Sequence, residues 1–437
     1  MPRGTRSRAC CRGRRRGRRA GRSSGGGSFC LMFLCGNPRH AGHSHLHPVS
    51  RAAIVRQSRR HAARNILDEG FAWGDALRTC PGLLCHGRGL VATCFLSLLP
   101  LTAIAEPLQS APRWTLSLEA IVLQRSGGTS RTLVERVPGT VPFLTTFTTP
   151  GTEAFNSSQF EQGFAAGPKL RLMYRDPAGY GVEVAYFNVF TRTATTTIGP
   201  DTPADWLVMR APGLFWQTQD FPYQGMTWSN ATNLYSAELN GRWDLSSRVT
   251  VLAGIRWLQL NDKLVGTLSP PDLTAPSWKQ ACKFCNIFQI FPGGTAGDYP
   301  DFWTTSTTNN LYGLQLGVDA TLLAIDRFSL QGQIKAGLFD NVASQLTGIS
   351  LQKVVYPASA TTNRLAFAGE AGVQLKYRIG DEVALKVGYE ALWLAGVALA
   401  PAQIDKTYTS ATVSALGVDA GANVLFQGVT FGLEYAF

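Results

Sequence analysis

From Gln427 to the terminal Phe437 the chain alternates strictly. Gln427, Val429, Phe431, Leu433, Tyr435 and Phe437 share one face, and Gly428, Thr430, Gly432, Glu434 and Ala436 share the other. A period of two puts successive side chains on opposite faces of an extended strand. One such strand occurs in many soluble proteins. Here the pattern recurs about ten times between residues 106 and 437, each time with a polar opposite face. That repetition leaves few folds open.

The strands are expected at about 114–123, 164–175, 180–190, 233–244, 249–260, 310–322, 328–339, 364–378, 383–394 and 423–437. Their connections alternate in length. Asp176-Pro177-Ala178-Gly179, Leu245-Ser246-Ser247-Arg248, Asp326-Arg327 and Ile379-Gly380-Asp381-Glu382 are tight-turn sequences. The other connections are long and polar, the longest near 262–309. Short turns on one rim and long loops on the other are the habit of an antiparallel up-and-down transmembrane β-barrel. We therefore expect an all-β barrel of about ten strands, or twelve if further strands lie in 124–161, 191–230 or 262–309. An even count brings both ends of the barrel to the short-turn, periplasmic side, and the long loops are then extracellular. A soluble sandwich would need polar outer faces and no strict alternation of loop length.

Aromatic residues mark both rims. Trp114, Tyr174, Tyr180, Trp243, Phe328, Tyr377 and Phe437 fall at short-turn ends of the apolar face. Tyr186, Tyr235, Trp257, Tyr312 and Trp393 fall towards the opposite ends. Two girdles of rings suit the two interfaces of a bilayer.

Composition misleads until it is divided along the chain. The formal net charge of +12 suggests a nucleic-acid binder. Residues 1–105, however, hold 18 of the 41 Lys and Arg and 3 of the 29 Asp and Glu, so 106–437 carries 23 basic and 26 acidic residues. The basic signal belongs to the leader, and no nucleic-acid partner is expected. Residues 1–85 are rich in Arg, Gly and Ser and show no period. They read as a disordered leader, or as a start placed too far upstream. Residues 86–105 read as a secretory signal peptide: Arg88, an apolar run from Leu90 to Leu101, and Ala103-Ile104-Ala105 as the cleavage site. The barrel domain is then 106–437.

The segment Val429-Thr430-Phe431-Gly432-Leu433-Glu434-Tyr435-Ala436-Phe437 resembles the closing strand of bacterial outer-membrane β-barrels of the porin-like or surface-antigen kind. Arg248-Val249-Thr250-Val251-Leu252-Ala253-Gly254-Ile255-Arg256-Trp257 is similar to segments of poorly characterised pore-forming barrel families. The resemblance covers roughly 110–437. It implies a place in the outer membrane, and recognition of Phe431, Leu433, Tyr435 and Phe437 by the barrel-assembly machinery. Small solutes or surface ligands are the other expected partners, beside outer-membrane lipid.

No His lies beyond residue 86, which removes the Asp/His site of omptin-like proteases and the Ser/His pair of outer-membrane phospholipases. No enzyme activity, cofactor or metal is expected. The polar faces carry Lys169, Arg171, Arg242, Arg256, Lys335, Lys376 and Lys386, with Glu119, Glu183, Glu238, Asp319, Glu370, Glu390 and Glu434. These lumen-facing groups read in two ways. Either opposite charges pair and fill a narrow barrel, or they line a wet channel and set its ion selectivity. The first gives a closed structural or adhesin-type surface barrel, the second a porin-like route for passive diffusion of small solutes. Cys282 and Cys285, in the longest loop, lack the setting of a redox or zinc motif and read as a local disulfide.

Overall fold

The computed structural model describes residues 114–138, 149–201, 205–212, 223–269, 302–351, 354–409 and 413–437. The expected leader, the signal peptide with Ala103 and Ala105, and the Cys282–Cys285 pair lie outside the described residues.

The strands in chain order begin with β1 (Trp114–Gly127), β2 (Thr132–Val137), β3 (Thr152–Asn156), β4 (Phe164–Arg175) and β5 (Tyr180–Ile198). Then come β6 (Trp206–Val208), β7 (Gly225–Asp244), β8 (Val249–Ser269), β9 (Phe302–Ile325) and β10 (Phe328–Leu351). The last are β11 (Val354–Arg378), β12 (Val383–Val397), β13 (Thr407–Thr409), β14 (Val413–Ala415) and β15 (Ala422–Ala436).

Ten of these close into one barrel in the order β1-β15-β12-β11-β10-β9-β8-β7-β5-β4. Each barrel strand pairs antiparallel with both neighbours. Closure runs from Thr115↔Ala436 to Gly127↔Val424. Below it, Trp114 and Phe437 exchange backbone hydrogen bonds of 3.0 and 2.9 Å. Closure matters because hydrocarbon offers no hydrogen bonds to an open sheet edge. The expected ten strands are thus the ten staves.

The outward face is an apolar belt. Leu170, Val184, Leu239, Ile255, Leu314, Leu316, Ile334, Leu365, Val387 and Phe431 are all exposed, with Leu365 at 71% and Leu314 at 70%. A continuous band of exposed aliphatic side chains belongs in lipid rather than water. At the short-turn rim, rings pair: Trp114 with Tyr174 at 5.1 Å, Phe328 with Tyr377 at 4.7 Å, and Tyr435 with Phe437 at 5.6 Å. At the other rim the outward row passes through Tyr186, Tyr235, Trp257 and Tyr312. One outward position further it turns polar at Asn188, Asn233, Gln259, Asn310, Asp340 and Asn363.

The strands do not stop at that border. β9, β10 and β11 have 24, 24 and 25 residues, where a tilted crossing needs about 9–11. The expected strands 310–322, 328–339 and 364–378 are the lipid-crossing parts of these longer ones. Beyond the belt the outward faces are rich in Thr, Ser and Asn, which lets the extensions stand in water.

Two small sheets complete the fold, β3-β2-β6 and β13-β14. The three-stranded sheet supplies further strands in 124–161 and 191–230, and neither sheet adds a stave. Leu133, Val134, Trp206, Leu207 and Val208 of the three-stranded sheet pack with Trp228, Leu268 and Trp303 from inner faces of the extended barrel strands. The small sheet therefore caps the loop end of the cylinder.

Candidate functional site: the barrel interior

The interior is layered, and each layer follows from which residues point inward at one height. Nearest the short turns is a vestibule with a cavity of about 300 Å³, lined by Ser117, Arg171, Arg248, Asp319, Lys376 and Glu434 among others. Lys386 lies 2.7 Å from Glu119 and 3.3 Å from Glu434, and Lys376 pairs with Glu434. Arg242 bridges Glu183 and Asp319, both at 2.6 Å. Lys169 on β4 reaches across to Glu390 on β12.

Above these groups sits the most deeply buried set. The Arg256 side chain is 1% exposed. Its Nη2 lies 2.8 Å from Glu370 Oε2 and 3.3 Å from Glu238 Oε1, and its Nε donates to Ser236 Oγ at 3.0 Å. Lys335 Nζ lies 2.8 Å from Glu238, with Glu370 at 3.9 Å and Glu183 at 4.0 Å. Neutral amides add hydrogen bonds to the carboxylates. Gln315 donates to Glu238 at 2.8 Å, Asn240 to Glu183 at 3.1 Å, and Gln333 to Glu370 at 2.6 Å. Arg171 donates to Gln333 Oε1 at 2.9 Å and lies 3.8 Å from Glu183. All fourteen charged groups named from the sequence, Glu119 included, therefore come together inside the barrel, seven basic and seven acidic. Charges this deep persist only when each is met by a partner and by hydrogen bonds.

The third layer is dry. Phe187, Leu234, Leu258, Leu311, Phe339 and Phe426 point inward from β5, β7, β8, β9, β10 and β15 and are buried to within a few per cent. Arg256 stacks beneath it, 5.9 Å from the centre of the Phe187 ring.

The fourth layer is a segment of the chain itself. After β12 the backbone turns inward at Gly396, which has φ +82° and lies so close to β11 that a Cβ would meet Leu365 O at 2.8 Å. Only glycine suits that turn and that approach. Ala398, Leu399 and Ala400 then run inside the barrel with no exposure and lead into the 3₁₀ turn Ala400–Lys406. Polar side chains from the staves hold this backbone. Asn309 Oδ1 accepts from Ala398 N at 2.6 Å, and Asn309 Nδ2 donates to Ala398 O at 2.8 Å. Asp262 Oδ2 accepts from Ala400 N at 2.9 Å, and Asn341 Nδ2 donates to Gly396 O at 2.9 Å. Asp262 Oδ1 in turn lies 2.7 Å from Arg125.

Sequence reasoning did not single out Arg125, Asp262, Asn309 or the inserted segment. The signal available was Ala398-Leu399-Ala400-Pro401, an apolar stretch too well suited to burial for an exposed loop. Phe431, Leu433, Tyr435 and Phe437 stand on the lipid-facing side of β15, each about half exposed. Among the described residues no cluster of His, Cys, Asp and Glu is arranged to hold a metal.

Residues 225–437 match the model of the family described as "Putative beta barrel porin-7 (BBP7)". No curated protein matches the chain. Among solved structures, the Escherichia coli outer membrane protease OmpT is similar at 12% identity, covering 75% of this chain and 98% of that one, with a TM-score of 0.40. The translocator domain of the Neisseria meningitidis autotransporter NalP is similar at 8% identity, covering 74% and 88%, with a TM-score of 0.31. The Pseudomonas putida toluene transporter TodX is similar at 10% identity, covering 75% and 89%, with a TM-score of 0.28. Likenesses this distant carry no argument about activity, and the identity rests on the closed ring of staves and the family match. With its belt in lipid and its ring of staves closed, the chain is a β-barrel of the bacterial outer membrane, similar from β7 onward to that porin family.

Proposed function

We propose that this barrel is closed, and that it serves as an anchor presenting its extracellular end to surface ligands rather than as an open diffusion channel. The observation that carries this reading is the Arg256–Glu238–Glu370–Lys335 set, buried at 1–4% side-chain exposure beneath an apolar layer. An ion path needs continuous polar, hydrated walls, and both layers are built from the staves. Removing the inserted segment would not clear them. Ten strands also enclose little room beside a porin of 16–18.

The test is planar-bilayer recording from refolded, heat-modifiable protein. Silence at 100 mV supports the closed barrel. Steady discrete steps would overturn it and favour the second reading, passive diffusion of small solutes, which the word porin in the family description favours. In that case Lys335→Gln and Glu390→Gln would shift ion selectivity. In the closed case they alter stability alone. The C-terminal strand is the feature through which the assembly machinery would recognise the chain. Deleting Phe437 is expected to lower the folded yield in the outer membrane severalfold, read by heat-modifiable gel shift.

A further inference from the structure

The cylinder wall is left unpaired between the upper parts of β4 and β5, as it also is above the last β11–β12 pair, Phe367↔Ala395. The last β1–β4 pair is Gln124↔Phe164, and the last β4–β5 pair is Lys169↔Phe187. β5 nevertheless runs on to Ile198, paired there with β7 alone. Pro168 brings no N–H to the β4–β5 ladder, which ends at the residue beside it. Above Gly167, whose backbone still abuts Asn188, a notch opens beside the first residues of β4. Its mouth is flanked by the exposed rings of Phe164 and Phe190, so it opens at the outer edge of the lipid belt.

Behind the notch lies a cavity of about 660 Å³, lined by Arg125, Gly128, Glu161, Gln162, Arg192 and Pro401 among others. That volume suits a small molecule or a headgroup. The Arg125 side chain is 8% exposed. Its Nη1 donates to Asp262 Oδ1 at 2.7 Å, to Asn230 Oδ1 at 3.2 Å, and to Thr232 Oγ1. Its Nε is buried without a hydrogen-bond partner, and no hydrogen bond from Nη2 is formed among the described residues. Nη2 is turned towards Gly128, where a Cβ would come within 3.3 Å. One edge of a buried guanidinium is therefore fully engaged, and the other, Nε with Nη2, is free.

That edge is the fork which grips two oxygens of a phosphate or carboxylate at once. An orphaned donor is costly in a buried site, and a bound oxyanion removes that cost. Arg192 lies over Gly163 at the cavity rim, its Nε and Nη2 each 3.0 Å from where a Cβ would stand. Asp262 offsets the charge of Arg125 from behind, and Glu161 lines the same cavity as Arg192. Recognition therefore rests on fork geometry rather than net charge. We propose that the notch cavity is an oxyanion site, in which the Nε–Nη2 edge of Arg125 holds a phosphate or carboxylate and Arg192 closes over it. The oxyanion is either the headgroup of an outer-leaflet lipid or a free solute. The site is separate from the lumen, and the proposal does not depend on the barrel being closed.

The experiment uses the full chain refolded in a zwitterionic detergent. One arm titrates inorganic phosphate calorimetrically. The other measures retention of phosphatidic acid against phosphatidylcholine by native mass spectrometry. Phosphate binding alone identifies a free solute, and selective retention of phosphatidic acid identifies a headgroup. Neither would overturn the proposal. Arg125→Lys keeps a positive charge opposite Asp262 but lacks the fork, and is expected to weaken binding about tenfold. Arg192→Gln, an exposed change, is expected to weaken it about three- to tenfold and carries the test if Arg125→Lys does not fold. Arg327→Gln, at a short turn, should change nothing. Equal weakening in all three variants, or unchanged binding in both cavity variants, would show general charge attraction and sink the site.

Discussion

At the scale of single residues, exposure alone does not say what solvent a side chain meets. Leu316 is 68% exposed in the belt, and Leu346 is 55% exposed above the polar row that begins at Asn310 and Asp340. A cation at mid-membrane costs about 2–4 kcal/mol. Leu316→Arg should therefore destabilise the barrel by about 2–4 kcal/mol in urea unfolding from vesicles. Leu346→Arg should change it by less than about 0.5 kcal/mol. Equal effects would mean the belt edge is misplaced. Arg256 tests the interior in the same way. Arg256→Met leaves Glu238 and Glu370 to share Lys335 alone, and should cost about 3–5 kcal/mol. Changing Glu238 and Glu370 to Gln in the same chain should recover part of that loss.

The inward face of each charged residue was legible from the alternation of its strand, because lipid forbids a charge on the other side. The partners were not. Lys169 and Glu390 are 221 positions apart, and only ring closure sets them opposite one another. Arg125 was illegible for a different reason. It follows Gln124 and precedes Ser126, where the apolar face of β1 has already ended, so nothing in the pattern marks it as interior.

At the scale of elements, the lipid-crossing halves of the ten staves were readable and their upper halves were not. Residues 304–310 read Thr-Thr-Ser-Thr-Thr-Asn-Asn, with no alternation to detect. In the fold their inner members Thr305, Thr307 and Asn309 are buried against the inserted segment and neighbouring staves, while Thr304, Ser306 and Thr308 face outward. Polar residues serve both faces there because the segment supplies backbone groups to bond. Gly396→Ala should dislodge that segment, since it adds strain at φ +82° and a contact with β11. We expect a loss of about 1–3 kcal/mol and faster protease cleavage in 398–406, with the gel shift of the folded barrel retained. In the cap, Glu153 on β3 is held below the usual carboxylate range by hydrogen bonds from Thr132 Oγ1 and Asn156 Nδ2. A lowered carboxylate pKa favours the folded sheet above the unperturbed value, and that contribution fades as pH falls through the folded value. Proteolysis of the cap should therefore quicken below about pH 4, and Glu153→Gln should flatten that dependence.

At the scale of the whole molecule, the barrel is a stack: a wet vestibule, a layer of paired charges, an apolar layer, an inserted backbone segment and a capping sheet. Each layer covers the one before it, and the vestibule opens to the short-turn side. If the layers work as a unit, Phe339→Ala alone should loosen the dry layer, at about 3–5 kcal/mol, without giving bilayer conductance. Current steps in that variant would mean that a single ring holds the pore shut.

The length of the β10–β11 hairpin has one more implication. From the polar row at Asp340 to the hairpin end at Leu351 the strand climbs eleven residues, about 25–30 Å when tilted. That is enough to lift its tip clear of the lipid headgroups and into the sugar coat of a living cell. An epitope inserted between Leu351 and Val354 should be stained by antibody on intact bacteria, like a flag on a mast, with the barrel below undisturbed.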